Sequence, residues 1–149
     1  MKLSLKIIMI ISLFSITGTG CSGIEPTRPF VSAEGKLPAC PSSPNCVSTQ
    51  AEDPDKRMEP LPFKGDLEQS RQQILAIVNS LKRSKVTDNQ KNSTHVEFRS
   101  AVFRFVDDVD FFFDESAGMI HFRSAARSGY LDFGVNRKRM QLISDRYLN

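Results

Sequence analysis

Hydrophobic residues recur at helical spacing in one stretch of the chain, GDLEQSRQQILAIVNSLKRS. The apolar positions that share one face of this helix are Leu67, Ile74, Ile77, Val78 and Leu81. Asp66 precedes the first of them and suits the N-cap, where a side-chain oxygen accepts a backbone N–H. The pattern therefore predicts an amphipathic helix over about residues 66–83, with one face to bury against another layer.

The pattern changes to alternation after the polar turn TDNQKNST. Val96 and Phe98 alternate with polar residues, which is typical of a half-buried strand. Phe103 and Phe105 alternate in the same strand-like way, but on the opposite parity. This change of phase predicts a bulge or a break in the strand near residues 100–101.

The stretch DVDFFFDESAGMIHFRSAAR predicts a β-hairpin around a four-residue loop at residues 115–118. On one face, the loop length pairs Phe113 with Ile120 and Phe111 with Phe122. On the other face, it pairs Asp114 with Met119, Phe112 with His121, and Asp110 with Arg123. We expect the apolar face to pack on the first helix, and a slip of one residue would exchange the two faces.

A second helix is predicted near the end of the chain, from about Val135 to Tyr147. Its apolar arc also contains Asn136 and Arg139, so we expect Arg139 to be partly buried and to need a carboxylate partner. Asn136 is predicted to cap this helix, with Val135 and Met140 as a hydrophobic staple. Together the patterns predict an α+β fold with two layers, in which an antiparallel sheet packs on one main helix and the C-terminal helix closes an edge.

Residues 1–20 have the pattern of a lipoprotein signal peptide rather than of a folded domain. Lys2 and Lys6 supply a charged start, and the apolar run IIMIISLFSI that follows is too short to span a bilayer comfortably. Small residues then precede Cys21, which suggests cleavage before this cysteine and its lipidation. Gly18 departs from the aliphatic residue that is usual there. A plain cleaved signal with Cys21 free and an uncleaved anchor therefore stay open as alternatives.

A lipoprotein of this kind would be exported and held at the membrane by the lipid on Cys21. Ser22 follows the cysteine, and the absence of Asp there favours the outer membrane if the source is Gram-negative, by resemblance to lipoprotein sorting. Residues 21–37 are rich in Pro, Gly and Ser without a period, which predicts a flexible tether. Residues 38–149 are expected to form a single α+β domain.

Composition and cysteine spacing bear on three kinds of site: a nucleic-acid interface, a disulfide and a metal site. The formal net charge of +3 is too small and too scattered for a nucleic-acid binder. Cys40 and Cys46 are the cysteines left if the first is lipidated, and a close pair in an exported protein predicts a disulfide. The rival is half of a metal site, but the chain has only two histidines, and we expect no metal or cofactor. His95 is expected at a solvated strand edge, and His121 beside Phe112.

Acidic and basic residues gather where the hairpin and the last helix are expected to meet. The acidic residues are Asp107, Asp108, Asp110 and Asp132, and the candidate anion-binding residues are Arg123, Arg127, Asn136, Arg137 and Arg139. In one interpretation the two sets pair with each other and lock the hairpin to the helix. In another, surplus arginines and the helix N-terminus bind phosphate or carboxylate. In a third, the Asp cluster catalyses a reaction, although no nucleophile motif accompanies it.

Three stretches, CPSSPNCVST, FRFVDDVDFFFD and RSAARSGYLDFGVNRKRM, together resemble the bacterial and plastid family known as domain of unknown function 1499. The family pattern combines SPNCVS, a central F-x-DD-V strand and RSASR-x-G-x-x-D-x-G-x-NR-x-R, and this chain departs from it at Ala126. The resemblance covers about residues 38–148. It implies a compact α+β domain, often exported or membrane-associated, with no assigned reaction or catalytic residue.

The leading hypothesis is a non-enzymatic lipoprotein of the cell envelope. Its expected partners are the membrane, through the lipid on Cys21, and an anionic small molecule or an envelope protein. The alternatives are a purely structural envelope domain and a hydrolase-like enzyme that uses Asp107, Asp108 or Asp110. Such an enzyme would need at least two of these carboxylates in an open cleft, one of them with a raised pKa. An anion-binding protein would line a concavity with unpaired arginines.

Overall fold

The computed structural model describes residues 30–149, so the expected signal peptide, Cys21 and the first part of the expected tether lie outside the described residues. The elements in chain order are β1 (Cys46–Ser48), β2 (Leu61–Pro62), α1 (Leu67–Ser80), β3 (Ser84–Asn89), β4 (Ser93–Arg99), β5 (Val106–Asp114), β6 (Met119–Ala126) and α2 (Val135–Leu148). All pairings between these strands are antiparallel, which confirms an α+β fold. Within the described range, neither helix has the length and apolar character to cross a membrane.

The sheet has the strand order β1-β6-β5-β4-β3, and β2 also pairs with β6. Helix α1 contacts β3, while α2 contacts β6 and the edge strand β1, and the two helices touch each other. Both helices contribute to one core with the apolar side chains of the sheet: Ile74 and Val78 from α1, and Met140, Ile143 and Tyr147 from α2. The helices therefore form the second layer together, with α2 covering the β1 side.

The hairpin of β5 and β6 has the predicted register. It pairs Asp114 with Met119, Phe113 with Ile120, Phe112 with His121, Phe111 with Phe122, and Asp110 with Arg123. The rings of Phe112 and His121 stack with centroids 6.3 Å apart, as expected. The Asp114 carboxylate accepts N–H bonds from Ser116 and Ala117, which holds the loop closed.

Helix α1 confirms the first apolar pattern. Its N-cap is Asp66, whose Oδ1 accepts the N–H of Gln69 at 2.8 Å. Its buried apolar residues are Leu67, Ile74 and Val78, while Ile77 and Leu81 are partly buried against the same core. The helix ends at Ser80 rather than near residue 83.

The predicted break between strands is also confirmed, because β4 ends at Arg99 and β5 begins at Val106. Residues 100–105 form the loop between them. The expectation that Phe103 and Phe105 continue a strand is wrong, since their side chains are 76% and 57% exposed in this loop. Two alternating positions do not define a strand when no neighbouring strand pairs with them.

Helix α2 begins with a different cap from the one predicted. Its N-cap is Gly134, in the left-handed conformation, and the Asp132 carboxylate accepts the N–H groups of Gly134 and Asn136. Because Asp132 satisfies these donors, the prediction that Asn136 caps the helix is wrong, and its side chain is buried instead. The staple is wrong as well, since Val135 is 47% exposed while Met140 is in the core.

Residues 30–37, the last part of the expected tether, lie against the polar face of the sheet. The ring of Phe30 stacks on His95 with centroids 3.7 Å apart, and Leu37 is buried. The N–H of Leu37 donates to the Gln50 side chain at 2.9 Å. The structure therefore corrects the prediction of a flexible tether for these residues, because their large apolar side chains find surface to cover.

The disulfide predicted between Cys40 and Cys46 connects this segment to β1. The two Cα atoms are 5.7 Å apart, which is within the usual range for a disulfide. Cys46 is buried as the first residue of β1. The bond therefore fixes where the chain enters the sheet.

Candidate functional site

The acidic residues predicted as one cluster lie on two faces of the sheet. Asp107, Asp108 and Asp110 all belong to β5, where successive side chains point to opposite faces. Asp107 faces the helices, together with the core residues Val109 and Phe111. Asp108 and Asp110 face the opposite, polar side. Because of this alternation, the arginines that pair with these carboxylates also separate into two groups. The prediction of one acidic cluster did not take the alternation into account.

On the helix side, Arg139 joins α2 to the sheet. Its Nη2 donates to Asp107 at 2.5 Å, and its Nη1 donates to Asn136 at 2.8 Å and to Ser124 at 3.2 Å. The guanidinium also lies over the ring of Phe98, 4.6 Å from its centroid. The expectation that Arg139 is partly buried and paired with a carboxylate is confirmed, with 12% of its side chain exposed.

Asn136 is the fully buried centre of this first group. It accepts the hydroxyl of Ser124 at 2.6 Å, and it donates to Asp132 at 2.8 Å and to the Asn45 carbonyl at 3.3 Å. Burial raises the pKa of Asp132, but hydrogen bonds from Asn136 and Gly134 outweigh it and hold that pKa below its ordinary value. All donors and acceptors of the Asn136 side chain are therefore engaged inside the protein.

On the polar side, His95 lies between two carboxylates. Its Nδ1 is 2.6 Å from Asp110 and its Nε2 is 3.3 Å from Asp108. Burial lowers the pKa of His95, but the hydrogen bonds with Asp108 and Asp110 outweigh it and raise the pKa to about 9. The prediction of a solvated edge histidine is wrong. Strand β3 pairs with the outer side of β4, so β4 is not an edge strand, and Phe30 covers the imidazole ring.

Arg127 completes the pairing on this face. Its guanidinium donates to both carboxylate oxygens of Asp108, at 2.5 and 3.0 Å, and to Glu97 at 2.7 Å. Burial raises the pKa of Asp108, but hydrogen bonds from His95 and Arg127 outweigh it and lower the pKa to about 2. Glu97 also accepts from Arg99 at 3.0 Å. Asp108 is therefore ionised and paired, which does not suit proton transfer near neutral pH.

The remaining predicted residues do not join a common anion site. Arg123 lies 3.6 Å from Asp110, and its buried Nε has no hydrogen-bond partner within residues 30–149. Arg137 turns away and donates to the backbone carbonyls of Asp55 and Arg57. Two cavities, of about 470 and 490 Å³, lie beside residues 32–56, and neither is lined by the predicted arginines. No group of three or more candidate metal ligands occurs in the described range.

A group of apolar side chains that was not predicted from the sequence is exposed at one end of the sheet. We call it the apolar tip, and its members are Val102, Phe103, Phe105, Tyr130, Leu131, Phe133 and Val135. They belong to loop 100–105, between β4 and β5, and to the segment 130–135 that follows β6. The two segments leave the same end of the sheet, because the N–H of Arg127 donates to the Val106 carbonyl there. Aromatic residues in a stretch bounded by Gly129 and Gly134 were the available signal.

A family model described as protein of unknown function (DUF1499) matches residues 36–146. The chain belongs to this family. No curated protein and no solved structure matches it.

The DUF1499 match confirms the resemblance seen in the sequence motifs. It spans both charged groups and the apolar tip, so the DUF1499 domain includes every candidate site described above. The family description assigns no reaction, and membership in the DUF1499 family does not by itself identify a function.

Proposed function

We propose that the chain is an exported lipoprotein of the cell envelope, anchored through Cys21, whose DUF1499 domain acts by binding rather than by catalysis. One observation carries the proposal. The charged residues near the sheet engage one another, while the chemistry left exposed is the apolar tip. Large apolar side chains that are grouped on a surface typically mark an interaction site, whereas single scattered ones do not.

The hydrolase-like alternative fits this arrangement poorly. A carboxylate pair that exchanges protons needs neighbouring carboxyl groups with different pKa values in an open cleft. Asp107 is separated from the other two by the sheet, and Asp108 is held ionised by Arg127 and His95. Asp110 is 2% exposed and faces His95. These carboxylates therefore act as ion-pair partners that hold strands and helix together.

The other two alternatives are also weaker. A small anion would have to displace a carboxylate from Arg127 or Arg139, and Arg137 is engaged by backbone carbonyls. A purely structural domain has no use for phenylalanines that are more than three-quarters exposed, such as Phe103 and Phe133. Binding of an envelope component at the tip accounts for both the paired charges and the exposed aromatics.

The anchor is the second part of the proposal. The signal-like residues 1–20 and the cysteine that follows them support lipidation at Cys21, and Ser22 supports the outer membrane if the source is Gram-negative. To test the anchor, the full chain and its Cys21→Ser variant are expressed and their membrane fractions compared. We expect the variant to lose the lipid mass and to leave the membrane fraction. Equal mass and equal fractionation of the two chains would contradict the anchor.

The binding role is tested at the apolar tip. The full chain with Phe103→Ser and Phe133→Ser should lose cross-linking to isolated envelopes, compared with the unchanged chain. The matched control replaces Leu142 and Leu148, which are 42% and 52% exposed on α2, by Ser. Retained cross-linking in the tip variant, or equal loss in the control, would contradict a binding role for the tip.

A further inference from the structure

The apolar tip projects from the domain rather than lining a groove. Val102, Phe103 and Phe133 are 78%, 76% and 81% exposed, which leaves most of each side chain in solvent. Loop 100–105 closes on itself, because the N–H of Ser100 donates to the Phe105 carbonyl and the N–H of Phe105 donates to the Ser100 hydroxyl. A projecting group of aromatic and aliphatic side chains can insert into a soft, deformable partner, which a preformed pocket in this domain could not do.

Cations lie at the same end of the sheet as these apolar side chains. Arg104 lies within loop 100–105, Lys82 and Arg83 lie in the turn between α1 and β3, and all three are exposed. This turn is at the same end of the sheet, since the N–H of Arg99 donates to the Arg83 carbonyl. None of these three cations forms an ion pair with a residue in the range 30–149.

The neighbouring acids do not cancel this charge. Asp107 is paired with Arg139, and Asp108 is paired with Arg127 and His95. Asp132 accepts the first N–H groups of α2 and keeps its charge, which is one carboxylate against the three cations. The end of the domain that carries the tip therefore presents positive charge next to apolar surface. Proteins that bind the interface of an anionic bilayer have this combination. Their apolar side chains lie below the headgroups, and their cations lie among the headgroups.

The length of the chain before the domain agrees with such a position. Cys21 and Phe30 are nine residues apart, which corresponds to at most about 30 Å of extended chain. Phe30 stacks on His95, and His95 lies four residues along β4 from Arg99, or about 13 Å. A lipid on Cys21 can therefore hold the tip against the membrane that contains the lipid.

We propose that the apolar tip inserts into the headgroup region of an anionic lipid bilayer, with Lys82, Arg83 and Arg104 binding lipid phosphates. This inference rests on the proposed function, because it uses the same apolar tip and the same anchor, and it identifies a lipid bilayer as the partner that the tip binds. The lipid on Cys21 supplies attachment, and the tip fixes how the domain is oriented on the membrane.

The absence of tryptophan from the chain allows a direct test. Phe103→Trp places a single fluorescent reporter in the tip, and Leu148→Trp places the matched control at the end of α2, where the side chain is 52% exposed. Both full chains are reconstituted into vesicles that contain phosphatidylglycerol. We expect the emission of Phe103→Trp to shift to the blue and to be quenched by brominated lipid, while Leu148→Trp keeps the emission of a water-exposed indole.

The charge contribution is tested in the Phe103→Trp background. Arg104→Ala should lower the ratio of quenched to unquenched reporter about fivefold, since each cation near an anionic surface contributes roughly that factor. Vesicles of phosphatidylcholine alone should lower the ratio further. An unchanged ratio in both cases would contradict the part assigned to the cations.

The remaining outcomes separate the bilayer from other occupants. If both chains float with the vesicles but neither reporter is quenched, the anchor stands and insertion of the tip is wrong. A blue shift that depends on protein concentration and resists brominated lipid would mean self-association, and it would also overturn the inference. Loss of envelope cross-linking in the tip variant without insertion into pure lipid would indicate a protein partner, so the proposed binding role would survive alone.

Discussion

The Nδ1 atom of His95 lies 2.6 Å from Oδ1 of Asp110, and both side chains are almost fully buried on one face of the neighbouring strands β4 and β5. The second ring nitrogen faces Asp108, so the imidazole has an anion on each side. Because these partners raise its pKa to about 9, His95 is a cation at neutral pH and both ring nitrogens donate. A histidine in this state holds β4 to β5 by charge as well as by backbone hydrogen bonds.

We expect stability to fall as the pH rises on the alkaline side. The pKa of His95 is about 9 in the folded chain and about 6.5 when unfolded, so its contribution is complete below pH 6.5 and is lost as the pH passes 9. The shift corresponds to up to about 3 kcal/mol. Urea unfolding of the full chain at several pH values between 6 and 10 measures this slope.

One variant and its control test whether His95 causes the alkaline loss of stability. His95→Gln should be less stable at pH 7, and its stability should change little between pH 7 and 9. The control is His121→Gln, because burial lowers the pKa of His121 and places its titration on the acid side. An alkaline slope that persists in His95→Gln would show that another group causes it.

Replacing Arg139 tests the ion pair on the helix side. Arg139→Ala leaves the Asp107 carboxylate without its guanidinium, and it removes the donor to Asn136. We expect a loss of about 3 kcal/mol in the free energy of unfolding, because breaking a largely buried pair leaves one charge uncompensated. Urea unfolding measures this loss.

The neighbouring Lys138→Ala is the matched control, since Lys138 is exposed in the same helical turn. Its change should stay within about 0.5 kcal/mol. Adding Asp107→Asn to Arg139→Ala should recover part of the loss, and the Asp107→Asn single variant completes the cycle that gives the coupling energy of the pair. Equal effects of Arg139→Ala and Lys138→Ala would contradict the pairing described here.

Substitution in the apolar tip should leave folding intact. Phe103→Ser removes a side chain that is 76% exposed, so the melting temperature should change little. Phe111→Ala, by contrast, removes a fully buried ring and should cost about 3–5 kcal/mol. A thermal melt of both variants checks this difference. Strong destabilisation by Phe103→Ser would mean that the ring packs on the domain and is not available to a partner.

The paired arginines also predict the response to small anions. Inorganic phosphate should not raise the melting temperature of the full chain, because Arg127 and Arg139 are held by carboxylates. A bound anion would instead add about 2.7 kcal/mol of stability at a hundredfold excess over its dissociation constant. A shift of this size that disappears in Arg123→Ala would assign an anion site to Arg123, whose buried Nε has no hydrogen-bond partner within the described range.

Local periodicity was sufficient to predict much of this fold. The spacing of Ile74 and Val78 defined α1, and a four-residue loop was enough to set the register that pairs Phe111 with Phe122. Both features depend on residues close in sequence. The placement of β3 beyond β4 does not, and it is what turned His95 from an expected edge residue into a buried one.

The candidate site was harder to predict because it depends on alternation and on remote segments. Asp107 and Asp108 are adjacent in sequence but lie on opposite faces of β5, so one acidic cluster became two. The cover that Phe30 provides to His95 comes from a segment with no periodic signal. For the apolar tip, the flanking Gly129 and Gly134 indicated a loop, but composition alone does not distinguish an exposed phenylalanine from one in the core.

If the chain is anchored at Cys21 as proposed, the disulfide between Cys40 and Cys46 has a mechanical consequence. A pull on the chain from its N-terminal side meets the stacked Phe30 first and the buried Leu37 next. Beyond them, the covalent bond passes the load directly to the first residue of β1, so the loop of residues 41–45 carries little of the tension. Strand β1 lies at the edge of the sheet and is hydrogen-bonded to β6, so the load then enters the connected sheet through β6. Membrane movement would therefore strain the leading segment before it could loosen the domain.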